Sequence, residues 1–157
     1  MISKQEVEAA QASWGAGVVK IGSLDSERSS CESFTNEFVK EHYDFENKEV
    51  LFKPTKAAMD QFRPTHDGAL SYFIGGNSSF PEDKGFALQP WTKVRFENAA
   101  VILEENRALA MGNYFFTDQN GDETKVEYSF GYVKGANGQL KIDVHHSSLP
   151  FNPVPVA

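Results

Sequence analysis

The chain has 157 residues, enough for one domain with a buried core, and no shift in composition marks a second domain. A formal net charge of -7, without a run of Lys or Arg, argues against nucleic acid or an anionic membrane as the main partner. The 13 Phe favour a curved sheet wrapped around an aromatic interior over a helical bundle.

The cellular compartment is left open by the sequence. No apolar stretch is long enough to cross a bilayer and no basic-then-apolar leader begins the chain, so a soluble protein without membrane insertion is expected. A targeting segment removed ahead of Met1 would be compatible with the periplasm or the chloroplast. Cys31 has no second thiol for a disulfide or a zinc motif, and it is expected to be a small core residue.

Two helices are predicted in the N-terminal third. Ser3 and Glu6 form an S-x-x-E capping box, which predicts a helix from about residue 3 into the region of Val18. A second helix is predicted over residues 27–42. The apolar positions at helical spacing are Val7, Ala10, Trp14 and Val18 in the first helix, and Phe34, Phe38 and Val39 in the second.

Strand-like runs with turn residues between them follow the helices. The predicted strands cover residues 49–53, 69–74, 91–98, 107–117, 124–133 and 139–148. Asn120-Gly121 and Asn137-Gly138 join the last three runs, and Asn-Gly between alternating runs is the strongest short-range hairpin signal. The C-terminal third is therefore expected to be a three-stranded meander, and the tail over residues 152–155 a linker or terminus.

Helices followed by strands predict an α+β fold, a single cone-shaped domain over residues 1–157. In this arrangement the N-terminal helices pack on the concave face of a strongly curved antiparallel sheet and leave a cavity. An open sheet with helices on one face would give much the same pattern. The exposed face of such a sheet commonly forms a dimer interface, so a homodimer is expected.

The end of the last strand is the most informative segment of the chain. Residues 145–148 are His145, His146, Ser147 and Ser148, where hydrophobic alternation would otherwise continue. In the register set by Leu140 and Ile142, alternation puts His146 and Ser148 on the core side. A β-bulge would instead bring in His145 and Ser147. Both pairs remain candidates for a polar pocket.

Several common chemistries do not fit this sequence. Adjacent strand residues point to opposite faces, so His145 and His146 cannot share one metal ion, and no H-x-H or C-x-x-C spacing occurs. No G-x-S-x-G elbow is present, and the Gly75-Gly76 segment lacks the Gly-Lys that a phosphate-binding loop requires. The sequence therefore predicts neither a metal nor a cofactor.

Two neutral polar residues in the middle of the chain are further candidates. Thr55 follows Pro54, where it would also serve as the cap of a helix over residues 56–62. Tyr72 lies inside an apolar run, where it would also serve as a core aromatic. Taken singly, the structural interpretation is favoured for each.

Taken together, separated motifs resemble the iota class of carbonic anhydrases of the association-domain type. These motifs are F-K-P-T at 52–55, F-R-x-T at 62–65, G-A-L-S-Y-F at 68–73, M-G-N-Y at 111–114, F-G-Y at 130–132 and H-H-S-S-L-P at 145–150. The resemblance spans residues 34–150. It implies the fold of the calcium/calmodulin-dependent kinase II association domain and of nuclear transport factor 2.

The resemblance implies reversible hydration of carbon dioxide to bicarbonate, without a metal, in a pocket inside the cone. In the hypothesis that follows, hydroxyls of Thr55 and of Ser148 or Ser147 bind the developing bicarbonate. His146 or His145 takes the proton and Tyr72 orients the water.

Two other functions fit the same fold. The first is a non-catalytic association, oligomerisation or small-ligand-binding module, in which the candidate residues would not need to converge. The second is an isomerase or dehydratase acting on a larger substrate, which would need a His/Asp or Tyr/Asp dyad inside the cone. Asp143 is expected on the outer face, which counts against that dyad.

Overall fold

The computed structural model describes residues 1–153, which form three α-helices and one five-stranded sheet. The helices are α1 (Lys4–Ser23), α2 (Arg28–His42) and α3 (His66–Ile74); the strands are β1 (Leu51–Lys53), β2 (Lys93–Leu103), β3 (Arg107–Thr117), β4 (Glu123–Lys134) and β5 (Leu140–Ser148). A short 3₁₀ turn covers Phe86–Leu88. No helix in this part of the chain is long and apolar enough to span a membrane. Residues 154 and 155 of the predicted tail lie outside the described residues.

The sheet order is β1-β5-β4-β3-β2, with β1 parallel to β5 and all other neighbours antiparallel. The predicted meander of β3, β4 and β5 is confirmed. Gly121 and Gly138 have φ values of 86° and 83°, the left-handed conformation that a tight hairpin turn requires and that glycine adopts without strain. The sheet is therefore mixed, and the single parallel pairing brings β1 beside the His/Ser end of β5.

Sheet curvature depends on a close approach between β2 and β3. The register shifts between Asn98 and Ala100, opposite Gly112. A Cβ atom at Gly112 would lie 2.1 Å from the carbonyl oxygen of Glu97, so only glycine fits. The bulge bends β2, and the bent sheet wraps around α1.

Two local predictions are wrong. Residues 69–74 belong to α3 and not to a strand: Thr65 caps this helix, its Oγ1 accepting from the Gly68 N–H at 3.3 Å. A six-residue apolar run does not distinguish a buried strand from a buried helix. Residues 56–62 form no helix capped by Thr55, because the Glu82 carboxylate accepts the N–H groups of residues 58–60.

The core is an aromatic cluster centred on Trp14 of α1. Its indole lies within 6.4 Å, centroid to centroid, of seven other rings. These rings belong to Phe38, Phe73, Phe96, Tyr114, Phe116, Phe130 and His145. Cys31 is buried as predicted, and burial raises the pKa of its thiol. The concave face is thus filled except near the end of β5.

Candidate active site

A bulge in β5 decides which half of the His/Ser run faces inward. The pairing with β4 shifts between Gly131 and Tyr132, which lie opposite Val144 and Ile142. A Cβ atom at Gly131 would lie 3.0 Å from the Val144 Cβ and 3.1 Å from an Asp143 carboxylate oxygen. Because Gly131 faces outward between two buried aromatics, Asp143 and Val144 both lie on the outer face.

The bulge reverses the alternation beyond Val144. His145 and Ser147 face the core and are 2% and 1% exposed, whereas His146 is exposed and Ser148 is half-buried. The register that alternation favoured, with His146 and Ser148 inward, is therefore wrong. The bulged alternative is the one that the protein adopts.

Asp143 lies on the outer side of the sheet, as expected, but it is buried. Arg107 holds its carboxylate in a two-point hydrogen bond and the Lys48 amine donates to it at 2.7 Å. Burial raises the pKa of Asp143, but the hydrogen bonds from Arg107 and Lys48 outweigh it and the net shift is downward. This carboxylate cannot form the His/Asp dyad of a larger-substrate isomerase.

His145 and Ser147, the inward-facing residues of the His/Ser run, border a small cavity inside the cone. Its volume is about 10 Å³, close to the space that one water molecule needs. It is lined by Trp14, Phe52, Pro54, Thr55, Tyr72, Phe73, Phe86, Tyr114, His145 and Ser147. We call it the catalytic cavity. Thr55, Tyr72, His145 and Ser147 therefore converge there, while His146 and Ser148 do not.

Four residues that line this cavity, Thr55, Tyr72, Tyr114 and Ser147, carry hydroxyl groups and come from separate elements. Thr55 Oγ1, in the loop after β1, lies 2.6 Å from Ser147 Oγ of β5. The parallel pairing of β1 with β5 makes this contact. The Tyr72 hydroxyl of α3 accepts the backbone N–H of Lys56 at 3.1 Å, and its own hydrogen remains to donate.

A continuous chain of hydrogen bonds leads from Trp14 to these hydroxyls. Trp14 Nε1 donates to the Tyr43 hydroxyl at 3.0 Å, which lies 2.9 Å from His145 Nδ1. His145 Nε2 lies 3.1 Å from the Tyr114 hydroxyl, which donates to Ser147 Oγ at 2.5 Å. The imidazole is thus held at both nitrogens and has no free position.

The indole N–H of Trp14 can only donate, and this fixes the direction of the hydrogen bonds between Trp14 and Ser147. Tyr114 gives its single hydrogen to Ser147, so a neutral His145 must donate from Nε2 to Tyr114. Nδ1 is then an acceptor, and Tyr43 donates to it. If His145 instead donated from Nδ1 to Tyr43, the Tyr43 oxygen would accept from both Trp14 and His145, and its own hydrogen would lack an acceptor. Because Ser147 accepts from Tyr114, its own hydrogen points toward Thr55 or into the cavity.

The imidazole and the phenol groups at the cavity are neutral near pH 7. Burial, with a smaller effect from the charge of neighbouring His146, holds the pKa of His145 well below its ordinary value. Burial also raises the pKa values of Tyr72, Tyr114 and Tyr43 above the usual value for tyrosine. The cavity therefore offers neutral hydroxyl donors and no charged base.

The buried imidazole makes stability depend on pH. Below pH about 6.5 the unfolded chain protonates His145 while the folded chain does not, so the free energy of unfolding should fall as the pH falls. The largest slope is about 1.4 kcal/mol per pH unit, and His42, whose pKa is also lowered by burial, adds to it. Urea denaturation at pH 7, 6 and 5 measures this slope. A flat profile over that range would contradict a neutral, buried His145.

Sequence reasoning missed three residues of the site. Trp14 has the spacing of an ordinary core residue in the first helix, and Tyr43 directly follows the second helix without a distinguishing pattern. Tyr114 lies in the M-G-N-Y motif, and this motif was the only signal for it. The hydrogen-bond chain joins residues up to 102 positions apart, so no local pattern could have predicted it.

The donor set of the described residues offers no metal centre. Residues 1–153 contain no group of three or more His, Cys, Asp or Glu side chains that could hold a metal ion. The protein ligands that zinc uses are His, Cys and carboxylates, whereas the groups at the cavity are hydroxyls and one fully engaged imidazole.

Comparison with known proteins agrees with this site. The family model of metal-independent carbonic anhydrases matches residues 5–149. A metal-independent carbonic anhydrase of Nostoc sp. (strain PCC 7120) is 42% identical over 153 residues, which cover 96% of this chain and 75% of the relative.

Solved structures show the same likeness. The crystal structure of an iota-carbonic anhydrase from a cyanobacterium, complexed with bicarbonate, has a TM-score of 0.93 at 41% identity, covering 97% of this chain and 94% of that one. A calcium/calmodulin dependent protein kinase II association domain from Xanthomonas campestris has a TM-score of 0.63 at 21% identity, covering 95% and 89%. The second likeness shows the fold alone.

The cone of helices and curved sheet is therefore the predicted α+β fold of the association-domain and nuclear transport factor 2-like type. Within that fold class, the chain belongs to the family of metal-independent carbonic anhydrases. Its function is that of a carbonic anhydrase and not of a non-catalytic association module.

Proposed function

We propose that this chain hydrates carbon dioxide reversibly to bicarbonate in the catalytic cavity, with Thr55, Tyr72 and Ser147 as the groups that touch the reactants. The observation that carries the proposal is the 2.6 Å contact between the hydroxyls of Thr55 and Ser147, beside Tyr72 in a small cavity with aromatic walls. Carbon dioxide is apolar and uncharged, so aromatic walls suit it as a substrate.

The hydroxyls act as hydrogen-bond donors to the oxygen atoms of carbon dioxide. Of the two hydroxyl hydrogens of Thr55 and Ser147, one forms the hydrogen bond between these residues, and the other is free to donate to an oxygen atom of carbon dioxide. Donation from Tyr114 to Ser147 polarises the serine hydroxyl and makes it a better donor. Donors held in place by the surrounding protein stabilise the negative charge that develops as water attacks carbon.

The proton of the attacking water needs a route that does not use a charged base. His146 faces outward, and His145 is neutral, buried and engaged at both nitrogens, so neither fits the role of general base. We assign the transfer to a hydroxyl relay: water gives a proton to a hydroxyl oxygen as that hydroxyl gives its own hydrogen to a carbon dioxide oxygen. The product is carbonic acid, which loses a proton to solvent once it is outside the catalytic cavity and becomes bicarbonate.

A relay of neutral groups predicts activity that does not depend on metal and depends little on pH. Stopped-flow hydration with chelator-treated protein should retain full activity, and kcat/KM should stay within about twofold from pH 6.5 to pH 9. A general base of pKa near 7 would instead make the rate rise with pH to a plateau. Activity restored only by added metal would contradict the proposal, and so would such a sigmoid.

We infer that two copies of the chain pair through the outer face of the sheet. Ile102, Leu109 and Met111 are 56%, 37% and 60% exposed, and β2 and β3 bring them together because Ile102 pairs with Leu109. Exposed apolar side chains grouped on a sheet face are typical of an interface, and a two-fold contact requires one self-complementary patch.

Two lysines on this patch should prevent pairing. In a Leu109→Lys, Met111→Lys variant, the dimer should become a monomer because a two-fold contact places the like charges opposite each other. Sedimentation velocity gives the mass, and Met59→Lys, at an 80% exposed position away from the sheet, is the matched control. A wild-type monomer, or a dimer unchanged in the double variant, would contradict this interface.

A further inference from the structure

A second cavity lies directly outside the catalytic cavity. Its volume is about 270 Å³, and Tyr72 and Phe86 line both cavities. Their rings are stacked, with centroids 5.5 Å apart and an interplanar angle of 18°. This outer cavity, which we call the vestibule, is therefore separated from the catalytic cavity by a wall of two aromatic side chains.

The vestibule contains two acidic side chains, Glu82 and Asp83, and both interact with Arg63. Glu82 accepts the backbone N–H groups of residues 58–60 and lies 3.8 Å from Arg63. Asp83 is bound at both oxygens by Arg63, at 2.8 Å each, and it also accepts from Ser71. The single positive charge of Arg63 balances one of these two carboxylates, so the three side chains together carry one negative charge.

The vestibule also contains two lysines, Lys56 and Lys84, and both are exposed. Within residues 1–153 neither forms an ion pair with a carboxylate. Lys56, Lys84 and Arg63 outnumber the two carboxylates by one, so the vestibule has a formal charge of +1, although the chain as a whole carries a net charge of -7.

Lys56 connects this charge to the wall. Its amine lies 5.8 Å from the centroid of the Phe86 ring, and its backbone N–H holds the Tyr72 hydroxyl at 3.1 Å. The Lys56 side chain thus lies near Phe86, while the Lys56 backbone holds Tyr72. A substitution of Lys56 removes the amine and leaves the backbone hydrogen bond to Tyr72 in place.

The size of the catalytic cavity makes such an outer site useful. A space of about 10 Å³ has room for one water, so side chains that line it must move before carbon dioxide or bicarbonate can occupy it, and Tyr72 and Phe86 are the ones that border the vestibule. On the far side of that wall, the anion meets two cationic amines in a concave site, where the attraction is stronger than on an open surface.

We propose that Lys56 and Lys84 form an anion site in the vestibule, which holds bicarbonate outside the Tyr72–Phe86 wall on its way into or out of the catalytic cavity. This inference rests on the proposed function of the catalytic cavity. The ligand class is a small carboxylate-like anion of single charge. Carbon dioxide, which carries no charge, gains nothing from the two amines.

The kinetic consequence follows from the overall equilibrium. The ratio of kcat/KM for hydration to kcat/KM for dehydration is fixed by the equilibrium constant, so no substitution changes one alone. A site that binds only the anion, before the reaction, does not stabilise the transition state, so its loss leaves both kcat/KM values unchanged. Because bicarbonate is then bound less tightly before the reaction, its KM and the kcat for dehydration rise together.

The test is bicarbonate inhibition of carbon dioxide hydration by a Lys56→Gln, Lys84→Gln variant. The inhibition constant should rise about fivefold at 0.01 M ionic strength, because two exposed amines contribute modestly to anion binding. The difference should shrink at 0.5 M, where charges are screened, and kcat/KM for hydration should stay within about twofold. Lys125→Gln, an equal charge change at an exposed position of β4, is the matched control and should behave as wild type.

Two outcomes would overturn the proposal. An inhibition constant equal to that of Lys125→Gln would show that the vestibule binds no anion. A tenfold loss of kcat/KM would assign the lysines to the transition state and not to an outer site. Neither outcome affects the assignment of the catalytic cavity, because that assignment is tested separately by substitution of Thr55 and Ser147.

Discussion

Removal of the two joined hydroxyls, in a Thr55→Val, Ser147→Ala variant, should lower kcat/KM for carbon dioxide hydration about 10²- to 10³-fold. Loss of one positioned donor to a developing oxyanion costs about this much in other enzymes. The two hydroxyls lie 2.6 Å apart and share one hydrogen, so they act as a unit and their separate effects should not add. Stopped-flow assay of chelator-treated protein with a pH indicator measures the loss.

The bulge in β5 supplies the matched control for this experiment. His146 and Ser148 belong to the same strand but face outward, so a His146→Gln, Ser148→Ala variant should stay within about twofold of wild type. Circular dichroism of both variants, together with their urea midpoints, separates a loss of chemistry from a loss of fold. Equal activity in the inward and outward variants would refute the assignment of the cavity.

The helices and the meander were predictable because their signals are local. The capping box of Ser3 and Glu6 gives the start of α1, and its two hydrogen bonds are both formed in the folded chain. The glycines of two Asn-Gly pairs lie in the two turns on either side of β4. Helix α3 was not predictable in the same way, since its apolar residues are equally compatible with a buried strand.

The register at the end of β5 shows where local patterns lose their value. Counting residues from Ile142 puts His146 inward, and only the insertion of one extra residue opposite Gly131 puts His145 there. Nothing between residues 140 and 148 marks that insertion, because the cause is the fit of Gly131 against Val144 across the sheet. Thr55 and Tyr72 were identified as site residues through the family resemblance, whereas the part that Trp14 and Tyr43 play is visible only in the folded structure.

Beneath the loop that carries Thr55, a buried ion pair connects this loop to α3. The Arg63 side chain is fully buried, and its guanidinium binds both carboxylate oxygens of Asp83 at 2.8 Å. It also donates to the carbonyl oxygens of Asp60 and Gly68. Since Asp60 belongs to the loop and Gly68 to α3, the guanidinium fixes the position of Thr55 relative to Tyr72.

An Asp83→Asn substitution should therefore lower the free energy of unfolding by about 3 kcal/mol, because it removes the two-point partner of the buried Arg63 charge and leaves the Glu82 carboxylate, 3.8 Å away, as its counter-ion. Arg63→Met, Asp83→Leu removes both charges and should recover part of this loss. Arg95→Met is the surface control: its pairs with Glu97 and Glu123 are solvent-exposed, so it should change stability by about 1 kcal/mol or less. Urea denaturation measures all three variants. If Asp83→Asn cost no more than Arg95→Met, the buried pair would not hold the loop, and the position of Thr55 would have to depend on its contact with Ser147 alone.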